Sequence, residues 1–445
     1  NIFIEGSASP ERWLYDADMK VSDFEWTLAN KFYRIPGALT AHIDATADNV
    51  AASVAANMTS LDFSSSSGLK RLVDGFTAAA DSAMRQIDRR ELDFDVLQKC
   101  LPPFSLDVAA SGKGLAGQVL NARGMSVDTI WASFRNDSLL HGYADARNLN
   151  TGSMRLDTMS LMLRERGRLL DYKMHLGNRK GNLPELADVD LNGYVGSNRA
   201  LASLTQRNEK GETGYRLGFT VAMMDSAVNI HFTPLKATIA YLPWTINLDN
   251  HIEYAFNGRI DANLEARSRE SSIAMRTRSA ANGYDELQVN LSNIRVQDFM
   301  SMVVDAPPVT AIVNSDLTIG YSDVGFEGGG TFSVHDFSYD RVRVGDFDMN
   351  LEAGLENSGA TRAKATLKID GSDALAANVR LVPDSVGKLS PEEMGLKLIH
   401  FPISVANAFI GKDVAVLNGA LTGEMDMTGS FTEPLLNGSL KCDSV

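Results

Sequence analysis

The sequence predicts a mostly β protein: a long curled amphipathic β-sheet with a few short helices. Three observations predict it. Apolar and polar residues alternate over most of the chain, as where Tyr215, Leu217, Phe219, Val221 and Met223 are set between Arg216, Gly218, Thr220 and Ala222. A period of two puts one set on each face of a strand. Turn residues punctuate the runs at Asn257-Gly258, Gly328-Gly329-Gly330, Asn357-Ser358-Gly359, Asp370-Gly371 and Asn437-Gly438. A weak repeat links Met125-Ser126-Val127-Asp128-Thr129 with Met154-Arg155-Leu156-Asp157-Thr158 and, more loosely, with Val344-Gly345-Asp346-Phe347-Asp348-Met349. Such self-similarity suggests like units stacked side by side.

In chain order, residues 1–63 read as a β-rich segment and 64–104 as a helical insertion or cap. Leu69, Leu72, Val73, Phe76, Ala80, Ala83 and Ile87 follow helical spacing, with Ser66 or Ser67 available as N-cap. A second helix is expected from Phe94 to Cys100, capped by Asp93 and stopped by Pro102-Pro103. Residues 105–445 continue as repetitive β-structure. Its alternating sets include Val228, Ile230, Phe232; Ala237, Ile239, Tyr241; Ile252, Tyr254, Phe256; and Ile260, Ala262, Leu264, Ala266. Further sets are Leu287, Val289, Leu291; Leu317, Ile319, Tyr321; Phe347, Met349, Leu351; Ala365, Leu367, Ile369; Ala377, Val379, Leu381; and Met425, Met427. Short helical pieces are expected at 296–302 and 403–410, the latter ended by Gly411. Ser390-Pro391-Glu392-Glu393 has capping-box spacing with Pro at the first helical position, which predicts a helix start.

The composition excludes several classes. The 445 residues are 44% hydrophobic and 22% charged, as in a core-forming chain rather than a disordered one. Lys+Arg total 42 against 56 Asp+Glu, a net charge of −14, which opposes nucleic-acid binding because phosphate neutralisation needs a basic face. Two cysteines, Cys100 and Cys442, make neither a disulfide framework nor a four-Cys zinc site. No apolar run approaches the roughly 20 residues of a membrane-spanning helix. The sequence begins at Asn1 and reads as a piece of a longer polypeptide, so anchoring signals are expected outside it.

Chemical motifs fare poorly. Gly112-Lys113-Gly114-Leu115-Ala116-Gly117 fits G-x-G-x-x-G, but a dinucleotide site needs a long following helix inside a βαβ unit, and Gly124 follows within seven residues. A flexible loop is expected. Asp188-Val189-Asp190-Leu191-Asn192-Gly193 begins like a calcium loop, but Arg199 stands where the bidentate Glu belongs. The acids read as a solvated strand face, as do Asp346 and Asp348. Cys100 has no nearby His and reads as a buried structural thiol. His231, His251, His335 and His400 each stand alone, and no G-x-S-x-G occurs. No cofactor, metal or catalytic role is expected.

The apolar face remains. Amphipathic strands must cover it. A curled sheet can leave it as the lining of a groove for acyl chains, each buried methylene contributing roughly 0.8 kcal/mol. The alternation fits such a groove and a structural β-protein equally.

Particular residues add a resemblance. The C-terminal stretch reads His400-Phe401-Pro402-Ile403, Asn407-Ala408-Phe409-Ile410 and Leu417-Asn418-Gly419-Ala420-Leu421-Thr422-Gly423. It continues Met425-Asp426-Met427-Thr428-Gly429-Ser430 and Pro434-Leu435-Leu436-Asn437-Gly438-Ser439-Leu440. This resembles the G-x-L-x-G…(V/M)-x-G-(S/T)-x-x-x-P-x-(L/V)-x-G-x-L signature of TamB-like, AsmA-related envelope proteins of the translocation and assembly module. Ala306-Pro307-Pro308-Val309, residues 332–351 and Tyr241-Leu242-Pro243-Trp244-Thr245-Ile246-Asn247 are similar to the large Bacteroides-type members. The resemblance covers about residues 235–445, weakens over 101–234 and is merely compatible over 1–100. It implies a groove-shaped (taco-like) sheet in the periplasm of a Gram-negative bacterium. It also implies an inner-membrane anchor outside this chain and an Omp85-type outer-membrane barrel as partner, met through parts not present here. The implied activity is phospholipid transport between the membranes, or assistance to outer-membrane protein assembly. About 25 to 30 strands at roughly 4.8 Å would extend on the order of 120–150 Å.

Three hypotheses follow. The leading one is a lipid-conducting groove lined by Leu217, Phe219, Val221, Ile230, Phe232, Ile239, Tyr254, Phe256, Ile319, Val334, Phe347, Met349, Leu367 and Val379. The second is a structural scaffold that guides outer-membrane proteins by strand-edge pairing. The third, a secreted β-helical carbohydrate-active enzyme, demands a cluster of acids in a cleft.

Overall fold

The computed structural model describes the backbone of all residues except 1, 29–30, 90, 92, 153, 179–186, 280–284, 301–307, 323–324, 357, 384–388, 411–415, 430–433 and 444–445. The described residues form 27 strands of one antiparallel sheet. The fold is mostly β, with few helices. The chain divides into two units, Asn1–Asp225 and Ser226–Val445. The third segment expected from the sequence, 105–445, spans this division.

The first unit opens with β1 (Ile2–Ser9), β2 (Leu14–Leu28), β3 (Lys31–Ala45), β4 (Val50–Ala56) and β5 (Thr59–Ser65), each paired with the next. Then come α1 (Leu69–Arg89) and α2 (Phe94–Cys100), after which β6 (Phe104–Ser111) pairs directly with β5. The helices are thus an insertion between two neighbouring strands, and the ladder runs on unbroken. After α3 (Leu115–Ala122) the sheet continues as β7 (Thr129–Asn136), β8 (Leu140–Asn150), β9 (Arg155–Arg166) and β10 (Leu169–Gly177). It ends with β11 (Asp188–Gly196), β12 (Arg199–Arg207) and β13 (Thr213–Met223).

The second unit contains β14 (Ala227–Ile239), β15 (Leu242–Ile246), β16 (His251–Ala255), β17 (Ile260–Ser268), β18 (Ser271–Ser279) and β19 (Asp285–Arg295). β15 and β16 share the flanks of β14 and β17 between them. The five-residue α4 (Val296–Met300) leads to β20 (Val309–Ser322), β21 (Gly325–Tyr339), β22 (Val342–Leu355), β23 (Thr361–Ile369) and β24 (Ser372–Pro383). Then follow β25 (Leu389–Pro402), a 3-10 turn at Ile403–Ala408, β26 (Ala420–Gly429) and β27 (Pro434–Asp443).

α1 runs 21 residues and covers the expected helical set from Leu69 to Ile87. Several other sequence expectations need correction. Neither Ser66 nor Ser67 caps α1 through its side chain; the Ser67 N–H instead donates to Ser65 Oγ at 3.0 Å. Asp93 does cap α2, accepting from the Asp95 N–H at 3.1 Å. The Ser390-Pro391 capping box starts no helix, because it lies within β25. Pro391 has no N–H to give the ladder, and a register shift sits at Arg380/Leu381, beside its partner Leu381.

The glycine-rich motif is not a flexible loop. Gly114 immediately precedes α3, and a Cβ at Gly117 would stand 1.7 Å from Gly112 O. A Cβ at Gly112 would stand 1.6 Å from Val127 O. These glycines permit close backbone packing. β6 and β7, on either side of α3, pair antiparallel, so there is no βαβ unit. Gly328-Gly329-Gly330 and Asn437-Gly438 are not turns but lie inside β21 and β27. Asp370 and Gly371 do form a two-residue turn, with φ of 48° and 79°. Cys100 is only partly buried, its Sγ donating to Val96 O at 3.3 Å, and both cysteines are free thiols. Asn357, Gly411, Ser430 and residues 301–307, which include the end of the expected 296–302 piece and Ala306-Pro307, lie outside the described residues.

The weak repeat has a structural counterpart. Its shared apolar residue is buried in the two closer copies, as Val127 and Leu156, and partly buried in the looser third, as Phe347.

Candidate functional site: an apolar sheet face

Directly paired residues in an antiparallel ladder project to the same face. In the first unit one such row reads Ile4, Met19, Ala41, Val54, Leu61, Val108, Ala132, Ala144, Leu161, Met174, Leu191, Leu204 and Leu217, from β1 to β13. No polar side chain interrupts it. The adjacent row includes Phe63, Leu106, Phe134, Gly142, Leu163, Tyr172, Gly193, Ala202 and Phe219. Here aromatic rings lie against cross-strand glycines. A Cβ at Gly142 would stand 2.0 Å from the Phe134 ring, and one at Gly193 would stand 2.8 Å from the Tyr172 hydroxyl.

The opposite face is polar. Glu5, Asp18, His42, Ser53, Asp62, Asp107 and Ser133 pair in one row across β1 to β7. His42 Nδ1 lies 3.0 Å from Asp18, and Arg135 donates to Asp107 at 2.6 Å. That bond from Arg135 holds the Asp107 carboxyl below the usual carboxylate range. The calcium-like acids belong to β11, where Asp190 engages His175 at 2.8 Å and Arg207 at 3.0 Å.

The second unit has an equivalent face. One row runs Leu264, Met275, Val289, Leu317, Gly330, Leu351, Ala365, Ala377, Leu396 and Met425. A parallel row holds Ile319, Gly328, Ala353, Ala363, Val379 and Met394. These two rows line a cavity of about 460 Å³ between β20 and β25. Six strands laid flat would extend about 24 Å at a spacing of ~4.8 Å, yet their side chains converge on one cavity, so the sheet is concave here. The floor is low because its residues are small. A Cβ at Gly328 would stand 2.3 Å from Thr318 O. The volume falls within the roughly 300–1,000 Å³ of small-molecule sites.

The structure distributes the fourteen expected lining residues as follows. Leu217, Phe219 and Val221 share the apolar face of β13, where Val221 pairs with Ala200. Ile230 pairs with Ile252, Tyr254 with Val228, and Ile239 with Leu242, all on apolar rows. Phe232 is two residues from Ile230 on β14, and its N–H donates to Asn250 Oδ1 at 2.7 Å. Val334, Phe347, Met349 and Leu367 pair across β21 to β23 on the same face as the cavity rows. Ile319 and Val379 line the cavity itself. Phe256 lies in the turn after β16, outside the strands, with its N–H donating to Ser226 O at 2.8 Å. Sequence reasoning missed Gly328, Ala353, Met394 and Leu396. Gly and Ala carry little hydropathy, so a search for large apolar residues passes over them, and Met394 and Leu396 follow the Ser390-Pro391 segment read as a helix start.

Parts of the face are covered. Leu72 of α1 packs with Ala45 and Val50, beside Tyr15, Ile43, Phe63 and Leu69. Phe76 stacks at a tilt on Phe104, ring centroids 5.6 Å apart. Trp244 of β15, 2% exposed, meets Phe299 of α4 at 6.4 Å. Elsewhere the face is open: Phe219 is 37% exposed and Tyr254 48%. The α1 stripe of Val73, Phe76, Met84 and Ile87 is also exposed.

Charge networks stand on the other side of the sheet. Glu356, just past β22, accepts from Arg362 at 2.8 Å and from Arg380 at 3.0 Å. Arg380 also pairs with Glu392. The hydrogen bonds from Arg362 and then Arg380 push the Glu356 carboxyl down to about 2. A depressed carboxyl stabilises the folded state fully above its unfolded value and loses that stabilisation as pH falls through the folded one. The wild type should therefore melt higher than Glu356→Gln at pH 6. The gap should begin to narrow below the model-peptide value of 4.5 and close near pH 2. A gap constant over that range in thermal melts would contradict the assignment.

Among the described residues no group of His, Cys, Asp and Glu could hold a metal ion, and no helix is long and apolar enough to cross a membrane. The chain matches no protein-family model, no curated protein and no solved structure.

Proposed function

We propose that the chain is an envelope protein whose apolar sheet faces carry phospholipid acyl chains between inner and outer membrane. What carries the reading is the cross-strand apolar rows within each unit and, in the second unit, the concave, mostly apolar cavity of about 460 Å³ that its rows line. Apolar contact is non-directional, so a chain held there can slide from row to row. The polar face, with its paired acids and arginines, meets water. Location in the periplasm, anchorage through a segment outside this chain and an Omp85-type barrel partner follow from the resemblance to TamB-like, AsmA-related proteins and form part of the proposal. Native mass spectrometry of the purified chain tests it. Mass increments of diacyl phospholipids are expected; a chain that carries none and takes up none from vesicles would sink the reading.

A second reading is a scaffold that guides outer-membrane proteins by strand-edge pairing. It would give crosslinks to an unfolded outer-membrane protein and no bound lipid.

A further inference from the structure

Trp131 and Met162 stand on the hydrophilic face of the first unit, 47% and 46% exposed. The row through Trp131 is otherwise small or polar, reading Ser60, Ala109, Trp131, Asp145 and Ser160. Tyr143 lies in the next row, between Ser133 and Met162. It is the diagonal neighbour of Trp131 across β7 and β8, the ring centroids 5.4 Å apart at a tilt of 47°. A lone exposed apolar side chain is ordinary. Three on neighbouring strands, on the face that meets water, form a patch, and such a patch marks a surface that something else covers.

The patch is braced from within. Tyr143 OH donates to Asp145 Oδ2 at 3.2 Å, and Arg147 Nε donates to Asp145 Oδ1 at 2.7 Å. Arg147 also donates to Thr158 Oγ1 at 3.1 Å. Asp145 is the cross-strand partner of Trp131, and its own side chain is only 13% exposed. The rings therefore stand in place before any ligand arrives, and a fixed ring loses little freedom on binding.

Beside the rings the same face sinks. Thr40, Ala55, Ser60 and Ala109 pair in one row across β3 to β6 and line a hollow of about 340 Å³, with the exposed Met58 also on its wall. Trp131 is the next residue of that row, directly opposite Ala109. A hydroxyl-bearing hollow and an aromatic platform are thus laid side by side. The volume is within the roughly 300–1,000 Å³ of small-molecule sites.

The charges nearby select the ligand. Arg135 engages Asp107 at 2.6 Å as Arg147 engages Asp145. A cation would meet carboxylates already neutralised, with two guanidinium groups beside them. An anion would meet Asp62 and Asp107, which face each other across β5 and β6. A neutral polyol suits both conditions. Its C–H face stacks on the rings, and its hydroxyls find donors and acceptors in Thr40, Ser60 and the paired carboxylates and guanidinium groups. We propose that this patch binds a glycan chain, one pyranose ring stacked on Trp131 and Tyr143 and a neighbouring one seated in the hollow beside Ala109. Adjacent strands are ~4.8 Å apart, so a few sugar rings cover both parts. The patch lies on the face opposite Val108, Ala132 and Ala144 of the apolar row, and it stands independently of the lipid reading.

The test uses the full 445-residue chain. Hexamers of β-1,4-linked N-acetylglucosamine and of β-1,4-linked glucose are titrated calorimetrically into the wild type, Trp131→Ala, Trp131→Phe and Ala109→Ile. Ala109 is exposed and Ile suits a strand, so Ala109→Ile fills the hollow and keeps the fold. Circular dichroism checks that every variant folds. Saturable binding of at least one hexamer is expected. It should weaken by about tenfold or more in Trp131→Ala, the loss of an anchoring ring. Ala109→Ile should weaken it several-fold, and Trp131→Phe, which keeps a ring, should retain most of it. Lipid load in native mass spectra should be the same in all four proteins. Binding of neither hexamer, or binding that ignores both Trp131→Ala and Ala109→Ile, overturns the proposal. So does tetramethylammonium bound at Trp131 in place of the sugars, which would make the patch a cation site. A wild-type dimer that Trp131→Ala turns into a monomer would overturn it too, by giving the patch to a second copy of the chain.

Discussion

Ile319→Glu should empty the groove and leave the fold standing. Ile319 lines the cavity between Gly328 and Leu287, on a sheet face that is partly open. A carboxylate there can keep its hydration because the cavity opens outward, but an acyl chain crossing it loses apolar contact. Forfeiting two methylene contacts at roughly 0.8 kcal/mol each lowers affinity by more than tenfold. Phospholipid occupancy in native mass spectra should fall by at least that factor, with the melting temperature shifted by only a few degrees. Phe219→Glu, on the open face of the first unit, should behave alike. Loss of cooperative folding in both variants would mean the face is a sealed core.

Trp244→Ala should do the opposite, destabilising without touching the open groove. Trp244 is almost fully buried, pairs with Ala237 across β14–β15 and is covered by Phe299. Removing a buried Trp side chain typically costs about 3–5 kcal/mol, through lost transfer energy and the cavity left behind. Urea unfolding should show a loss of that size, whereas Phe219→Ala should cost well under half as much because the ring is already in part solvated. Equal losses at both positions would erase the distinction between covered and open parts of the face.

Much of the fold is legible along the chain. Alternation marks β13 and β17 close to their observed bounds and falls within β19 and β23, and Asp93 and Pro102 bracket α2. The failures share a cause. Ser390-Pro391-Glu392-Glu393 carries a local helix signal, yet the neighbouring ladder of β24 draws it into β25. Gly328-Gly329-Gly330 has the composition of a turn, but the chain runs straight through it because β20 approaches too closely for side chains. Leu115-Ala116-Gly117 forms a helix where a loop was expected, since the glycines fit against Val127 and Asn57 rather than around a phosphate.

The sequence by itself determined that this is a mostly β protein of amphipathic strands, and which residues within a strand share a face. A strand has a period of two, and that period can be read from nearest neighbours alone. The tertiary structure decided which parts of the apolar face are open. Leu72 closes it over Ala45 and Val50, Phe299 closes it over Trp244, and the small residues from Gly328 to Ala377 leave a hollow. Exposure depends on what stands opposite a residue, often dozens of positions away in the chain, and no local pattern records that.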